Sequence, residues 1–185
     1  MILPIYIYGQ RVLKQVAKPI EKSYEDLDDL VKNMWDTMYN AKGIGLAAPQ
    51  VGHSIRLFVI DTTQLEDEEK EFKGFKTVFI NAKRIEETGE DWEYEEGCLS
   101  IPDIRGDVKR PERLHLRYLD ENFKQHEVVF EGINARVIQH EYDHIEGVLF
   151  TEHLKPLKKR RIKRKLDGMR QGIVEADYAI RPNRG

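Results

Sequence analysis

One motif, His140-Glu141-Tyr142-Asp143-His144, most constrains how this chain can fold. On a helix, side chains four positions apart leave the same face about one turn apart, so the two imidazole rings can converge on one cation. Glu141 lies beside them, near enough to reach a water molecule on that cation. The spacing requires a helix, and apolar periodicity predicts one over about residues 134–146. We therefore expect a buried, metal-binding helix and a metal-dependent hydrolase with Glu141 as its acid/base.

A catalytic metal site usually has three protein ligands and one open position, so a third ligand is required. The metzincin pattern needs a third histidine where this chain has Phe150, which excludes that class of protease. A downstream glutamate ligand would have to be Glu146, Glu152 or Glu175. Cys98 is the other candidate, because a thiolate is a good soft ligand for a borderline divalent ion. An isolated cysteine is also common as a small buried hydrophobic residue, so spacing alone leaves the third ligand open.

The composition and the hydrophobic periodicity favour an α+β fold. The 185 residues, 40% hydrophobic and 34% charged, are typical of a soluble globular protein, and we expect one domain over residues 1–185. A helix is predicted over residues 24–41 with Ser23 as its N-cap, and a basic C-terminal helix over about 156–172. Four runs are predicted to be strands, namely residues 56–60, 77–80, 114–118 and 127–130. Together they predict an irregular, mainly antiparallel sheet packed around the metal-binding helix.

The charge is unevenly distributed along the chain. The formal net charge is only −3, but residues 155–165 contain eight Lys or Arg residues, whereas residues 64–70 are acidic and are predicted to form an exposed loop. A polyanionic partner such as ribosomal RNA would meet the basic helix, which is otherwise a solvated face. We expect no DNA partner. The single cysteine, the lack of a secretory signal in residues 1–8 and the lack of any membrane-length apolar run favour a cytoplasmic protein without a membrane partner.

A third segment, residues 43–52, consists mostly of small residues and contains Pro49 and Gln50. Alone it could be a helix stop followed by a tight turn. Taken together, residues 43–50, residues 96–100 and the histidine motif resemble the three signature motifs of the peptide deformylase family, of the bacterial type. All three are present and in the same order, so the resemblance covers most of the chain and is far more specific than any one motif.

This resemblance implies a hydrolase that removes the N-formyl group from the N-terminal formylmethionine of newly made polypeptides and releases formate. It implies one divalent metal ion held by Cys98, His140 and His144, with Fe²⁺ as the first expectation and Zn²⁺, Ni²⁺ or Co²⁺ as substitutes. Glu141 would carry the proton. The side-chain amide of Gln50 and the backbone N–H of Leu99 would donate hydrogen bonds to the formyl oxygen.

The resemblance also implies how the substrate peptide is held. The backbone around Ile44 and Gly45 would hold it in an extended, strand-like pose, and Val137 would help line an apolar pocket for the methionine. Arg105 would contact the peptide beyond methionine. The basic helix over residues 156–172 is similar to a ribosome-docking extension in some family members. The implied partners are N-formyl-methionyl nascent peptides and the ribosome.

Two other functions are compatible with parts of the sequence. A zinc endopeptidase would use the same two histidines and Glu141 but would take a glutamate as its third ligand. A ribosome- or RNA-binding module with a structural metal is suggested by the basic helix. A closed structural site needs four protein ligands, however, and only three converge in the motifs.

Overall fold

The structure is a computed structural model that describes residues 1–65 and 72–183. Most of the acidic loop predicted over residues 64–70 lies outside the described residues. The helices are α1 (Leu27–Asn40), α2 (Gly132–Ile145) and α3 (Pro156–Arg170). The strands are β1 (Ile5–Tyr6), β2 (Gly45–Ala47), β3 (Leu57–Asp61), β4 (Lys76–Cys98), β5 (Ile101–Leu119), β6 (Gln125–Glu131) and β7 (Ile180–Arg181). None of the described helices has the length and apolar character needed to cross a bilayer.

Five strands form one antiparallel sheet in the order β2-β3-β4-β5-β6. Helix α2 packs against this sheet, and the apolar core between them includes Phe58, Phe79, Ile138 and Ile145. The expected α+β fold, with a mainly antiparallel sheet around a buried helix, is confirmed. Residues 43–52, which alone could be a helix stop followed by a tight turn, contain the edge strand β2. The short 3-10 helix Ala48–Val51 follows this strand.

The hairpin of β4 and β5 is much longer than the two runs predicted for it. The strands have 23 and 19 residues, and register shifts interrupt their pairing at four places. The outer part of the hairpin is rich in charged residues, which have low intrinsic β propensity, so the periodicity gave no signal there. Cross-strand pairs such as Glu93 with Lys109 sustain it instead. The hairpin places Cys98 at the last position of β4.

Helix α1 was predicted to begin at residue 24 with Ser23 as its N-cap, and this start was wrong. The Tyr24 N–H donates to the Glu21 carbonyl at 3.0 Å, and Asp26 adopts a left-handed φ of 55° immediately before Leu27. The hydrogen bond closes a turn over residues 21–24, a further turn covers residues 25–26, and the helix begins at Leu27. Its buried face packs in the core that includes β2 and β3, as its periodicity predicted.

Helix α3 begins at the predicted Pro156 and ends at Arg170. Ile162 and Met169 are buried against an apolar cluster that also contains Leu154, whereas most of its basic residues are exposed. The predicted basic C-terminal helix is thus present and presents its charge to solvent.

After α3, residues 173–183 turn back towards the N-terminus, and we call this segment the C-terminal strap. Its strand β7 pairs in parallel with β1, with Ile5 opposite Ile180. The Ile5 N–H donates to the Ala179 carbonyl at 2.9 Å, and the Ile7 N–H donates to the Arg181 carbonyl at 3.1 Å. Sequence reasoning did not predict this pairing, because a two-residue strand is too short to show any periodicity.

Candidate metal centre

Cys98, His140 and His144 lie together where the end of β4 meets α2. Their potential ligand atoms all lie within 4.8 Å of one another, and the Cys98 Sγ is 3.4 Å from the His144 Nε2. Within the described ranges, no glutamate belongs to this group. Glu146 pairs instead with Arg56 at 2.7 Å. The fold therefore brings the cysteine, rather than a downstream glutamate, to the two histidines.

The chemistry of these residues fits a divalent ion. One thiolate and two imidazoles are a donor set that borderline divalent ions prefer. Burial lowers the pKa of His144 to about 3, which keeps this imidazole neutral, the form that ligates a metal. The Glu141 Oε2 is buried and has no hydrogen-bond partner among the described residues, which is a costly arrangement unless a further group occupies the site. Both observations favour a metal at this position.

Glu141 lies in the same buried environment, next to His140 on α2. Burial raises the pKa of its carboxyl group to about 7. A carboxyl group that titrates near neutrality can both accept and return a proton at physiological pH. The backbone of β2 passes close to the Glu141 carboxyl group. A Cβ atom on Gly45 would lie only 2.5 Å from the Glu141 Oε1, so the absence of a side chain there leaves space for Glu141. A glycine at this point of β2 is therefore a requirement of the site.

Glu96 connects the site to the rest of the structure. Its buried carboxylate accepts hydrogen bonds from the His140 Nδ1 at 2.9 Å, from Arg110 at 2.8 and 3.1 Å and from Arg136 at 3.0 Å. Burial alone would raise the pKa of Glu96, but the hydrogen bonds from His140 and Arg110 outweigh it and hold this pKa well below its usual range. Glu96 thus fixes the His140 ring and leaves its Nε2 for a metal.

Sequence reasoning quoted Glu96 within a motif but gave it no role. Its position two residues before Cys98 was a usable signal, because residues two apart on a strand lie on the same face. Arg110 was also missed. It donates to the Asp143 Oδ2 at 2.8 Å, and Asp143 interacts with the His153 Nε2 at 2.8 Å. These contacts tie α2 to β5 behind the metal-binding group.

Two hydrogen-bond donors lie beside Cys98. Gln50 is buried, and its Oε1 accepts from the Ala47 N–H at 2.9 Å. This contact orients the Nε2, which donates to the Ser100 Oγ at 3.2 Å and lies 3.5 Å from the Cys98 Sγ. The backbone N–H of Leu99 donates to no group in the described part of the chain. Among the described residues, the Leu99 N–H therefore has no partner, whereas the Gln50 amide already donates to groups of the site.

A cavity of about 950 Å³ opens at this site. It is lined by most of the residues that the sequence analysis selected, namely Ile44, Gly45, Gln50, Cys98, Leu99, Arg105, Val137, His140 and Glu141. His144 is not in the lining. Arg105 pairs with Glu95 at 2.9 Å, and both side chains are largely exposed. The C-terminal strap adds Glu175, Asp177 and Tyr178 to the lining, of which sequence reasoning considered only Glu175, as an alternative ligand.

Known proteins resemble this chain in both sequence and fold. A sequence model of the family described as polypeptide deformylase matches residues 2–160. The peptide deformylase of Christiangramia forsetii is 52% identical over 191 residues, which cover 99% of this chain and 97% of the relative. That of Flavobacterium johnsoniae is 52% identical over 188 residues, which cover 98% of this chain and 96% of the relative.

Solved structures show the same similarity. The crystal structure of a peptide deformylase from Legionella pneumophila superposes with a TM-score of 0.80 at 39% identity and covers 92% of this chain and 96% of that chain. The structure of the Synechococcus elongatus peptide deformylase in complex with actinonin gives a TM-score of 0.79 at 42% identity and covers 88% of this chain and 87% of that chain. The similarity extends over nearly the whole described fold.

Proposed function

This chain belongs to the polypeptide deformylase family, and from that premise we propose which of its residues perform the reaction. It is a metal-dependent hydrolase that removes the N-formyl group from the N-terminal formylmethionine of newly made polypeptides and releases formate. The observation that carries the assignment of residues is the convergence of Cys98, His140 and His144 with Glu141 beside them in one cavity.

We propose that Cys98, His140 and His144 hold one divalent ion. A divalent ion supplies Lewis acidity, which lowers the pKa of water and polarises a carbonyl group. We propose Fe²⁺ as the resident ion on the likeness to the family, with Zn²⁺, Ni²⁺ or Co²⁺ as substitutes. The mixed thiolate and imidazole donor set is compatible with each of them.

The remaining chemistry belongs to side chains and backbone groups of this chain. Glu141 takes a proton from the attacking water and returns it to the leaving amine, which its pKa of about 7 supports. The Gln50 Nε2 and the Leu99 N–H donate to the formyl oxygen as negative charge develops on it. Preorganised donors of this kind are typically worth about 10²–10³ in kcat each.

The cavity wall supports binding of an extended peptide. Strand β2 lies at an edge of the sheet, so its backbone around Ile44 and Gly45 is open to pairing with an added strand. Val137 lines the same cavity and contributes to the apolar pocket for methionine. Arg105 lies at the exposed rim, where it contacts the peptide beyond methionine.

Substitution of Glu141 tests this proposal. Glu141→Gln keeps the size of the side chain but removes its acid/base function, so we expect full metal loading with loss of formate release from a formyl-methionyl peptide. Glu146→Gln, at the residue that follows the end of the same helix, is the matched control, because Glu146 pairs with Arg56 outside the group of ligands. Full formate release by Glu141→Gln, or none by the metal-loaded native protein, would contradict the proposal.

The exposed basic face of α3 supports docking to the ribosome. It would contact phosphate groups of ribosomal RNA, an interaction that weakens steeply with salt. The test is co-sedimentation with ribosomes of the native protein and of the triple variant Lys159→Glu, Arg160→Glu and Lys163→Glu, whose sites are all exposed. We expect the variant to lose co-sedimentation and to keep its activity on free peptides. Equal co-sedimentation of both proteins would remove this part of the proposal.

We also propose that residues 1–185 form one catalytic domain in the cytoplasm. The pairing of β1 with β7, near opposite ends of the described chain, supports a single domain. A cytoplasmic location follows from the substrate, because newly made formylated chains emerge there. Fractionation of cells that express the protein, with formate release assayed in each fraction, tests the location.

A further inference from the structure

The C-terminal strap contacts the backbone beside the metal ligand Cys98. The Tyr178 hydroxyl donates a hydrogen bond to the Leu99 carbonyl at 2.8 Å. Tyr178 also packs against the apolar cluster that contains Leu46 and Met38, and so does the Leu99 side chain. The strap lies beyond residues 2–160, which are the ones that the family model matches. It is therefore a contact to the active site that the signature motifs do not contain.

Leu99 and Ser100 form the turn between β4 and β5, and neither residue belongs to a strand. Ser100 is held twice, because its carbonyl accepts from the Tyr8 N–H at 2.9 Å and its hydroxyl accepts from the Gln50 Nε2 at 3.2 Å. Within the described part of the chain, the Leu99 backbone makes a hydrogen bond only to Tyr178. The strap thus holds the Leu99–Ser100 peptide unit, which meets the Cys98–Leu99 unit that carries the Leu99 N–H at the Leu99 Cα.

We propose that Tyr178 is a positioning residue of the deformylase reaction, which holds the Leu99 backbone so that its N–H faces the formyl oxygen in the transition state. This inference rests on the proposed function, where the Leu99 N–H is assigned as a donor. A donor acts in catalysis only if it is held within about 0.5 Å of its productive position. Leu99 lies outside the strands and has no cross-strand hydrogen bond, so another contact, the one to Tyr178, has to hold it in position.

The strap is attached to the rest of the fold close to Tyr178, which restricts the position of this residue. Strand β7 follows two residues later and pairs with β1, and the Asn183 side-chain amide donates to the Arg170 carbonyl at 2.8 Å. Tyr178 is therefore followed within five residues by two attachments of the strap, one to β1 and one to the end of α3. A hydroxyl group fixed in this way can restrict the turn with little loss of its own conformational freedom.

The test compares Tyr178→Phe with Tyr24→Phe. Tyr24 packs against the same apolar cluster, but its hydroxyl makes no hydrogen bond among the described residues, so it is a matched control. We expect Tyr178→Phe to lower kcat and kcat/KM for a formyl-methionyl peptide by roughly threefold to tenfold, with KM and metal content unchanged. Tyr24→Phe should keep the native kcat. In protein without substrate, the backbone NMR resonances of Leu99 and Ser100 should broaden or multiply in Tyr178→Phe alone.

The other outcomes would overturn the inference. Native kcat in Tyr178→Phe would show that the tether has no catalytic role, and a rise in KM without a fall in kcat would assign Tyr178 to peptide binding. Failure of Tyr178→Phe to fold would make the hydroxyl a determinant of folding rather than of positioning. Absence of formate release by the native, metal-loaded protein would instead refute the proposed function, so the two failures are distinguishable.

Discussion

The His140 Nδ1 lies 2.9 Å from the Glu96 Oε2 and makes a hydrogen bond to it. The same carboxylate pairs with Arg110 from β5 and with Arg136 from α2. Glu96 and both arginines are buried. One carboxylate therefore orients a proposed metal ligand and also pairs with two buried guanidinium groups, of which Arg110 has a second carboxylate partner in Asp143. Metal affinity and stability of the fold should depend on the same side chain.

Glu96→Gln should weaken both properties. The neutral amide orients His140 less strongly, which typically lowers metal affinity by about 10- to 100-fold. It also leaves the buried Arg136 without its carboxylate partner, whereas Arg110 keeps Asp143, and breaking a buried ion pair typically costs about 3–5 kcal/mol of stability. Competition with a chelator and urea unfolding measure the two effects. Glu95→Gln is the control, because Glu95 makes an exposed ion pair with Arg105, and a similar loss there would contradict the role of Glu96.

Cys98→Ser should abolish stable metal binding, because a serine hydroxyl deprotonates far less readily than a thiol. We expect affinity for the metal to fall by more than about 100-fold. Loss of a residue that only makes a hydrogen bond to a ligand typically lowers metal affinity by about 10- to 100-fold. Elemental analysis after anaerobic purification gives the metal content. Glu175→Gln should retain the metal. The reverse pattern, with metal retained in Cys98→Ser and lost in Glu175→Gln, would favour a zinc endopeptidase.

Gly45→Ala should lower activity without removing the metal. The new Cβ would lie 2.5 Å from the Glu141 Oε1, so the carboxylate or β2 must move. Misplacement of a reacting group by about 1 Å can cost about 10²-fold, and we expect a fall in kcat of that order. Gly168→Ala in α3 is the control, since its Cβ would meet the Ile173 carbonyl at an ordinary 3.6 Å. It should keep native activity and gain about 0.5–1 kcal/mol of stability.

Acid pH should destabilise the fold partly through Asp61. Burial alone would raise the pKa of Asp61, but hydrogen bonds from Thr63 and Tyr39 outweigh it and lower this pKa. A carboxyl group with a lowered folded-state pKa contributes stability above its unfolded value of about 3.9, and loses that contribution as the pH falls through the folded-state pKa. The free energy of unfolding of the metal-free protein, measured with urea from about pH 6 to pH 2.5, should therefore fall less steeply in Asp61→Asn than in the native protein.

Asp26→Asn is the control for the acid series, because the exposed Asp26 side chain makes no hydrogen bond to the described residues. Its pH dependence should match that of the native protein. If the free energy of unfolding fell as steeply with pH in Asp61→Asn as in the native protein, the hydrogen bonds to Asp61 would not contribute to acid sensitivity.

The parts of the fold that follow local periodicity could be predicted from the sequence. Helix α2 carries both histidines at a spacing that only a helix brings together, and it is present and buried as expected. Helix α3 begins at the proline that marked its start. The start of α1 was wrong, because a left-handed residue at Asp26 has no signature that distinguishes it from a helical aspartate.

The features that depend on distant pairing could not be predicted. The spacing of the motifs left Cys98 and three glutamates as alternative ligands, and only the course of the β4–β5 hairpin brings Cys98 to α2. The role of Glu96 requires Arg110 and Arg136, which lie far from it in sequence. The roles of Gln50, Arg105 and Val137 remain predictions, and the Tyr178→Phe variant bears on that of Leu99.

The pairing of Ile5 with Ile180 has a consequence for how the enzyme is made. A ribosome synthesises β1 long before β7, so Tyr178 reaches Leu99 only after Cys98, His140 and His144 have all been made. A stop codon placed just before Tyr178 would yield a protein with all three proposed metal ligands but without the hydrogen bond from Tyr178 to Leu99. Full activity is therefore expected to appear later in synthesis than the residues that bind the metal.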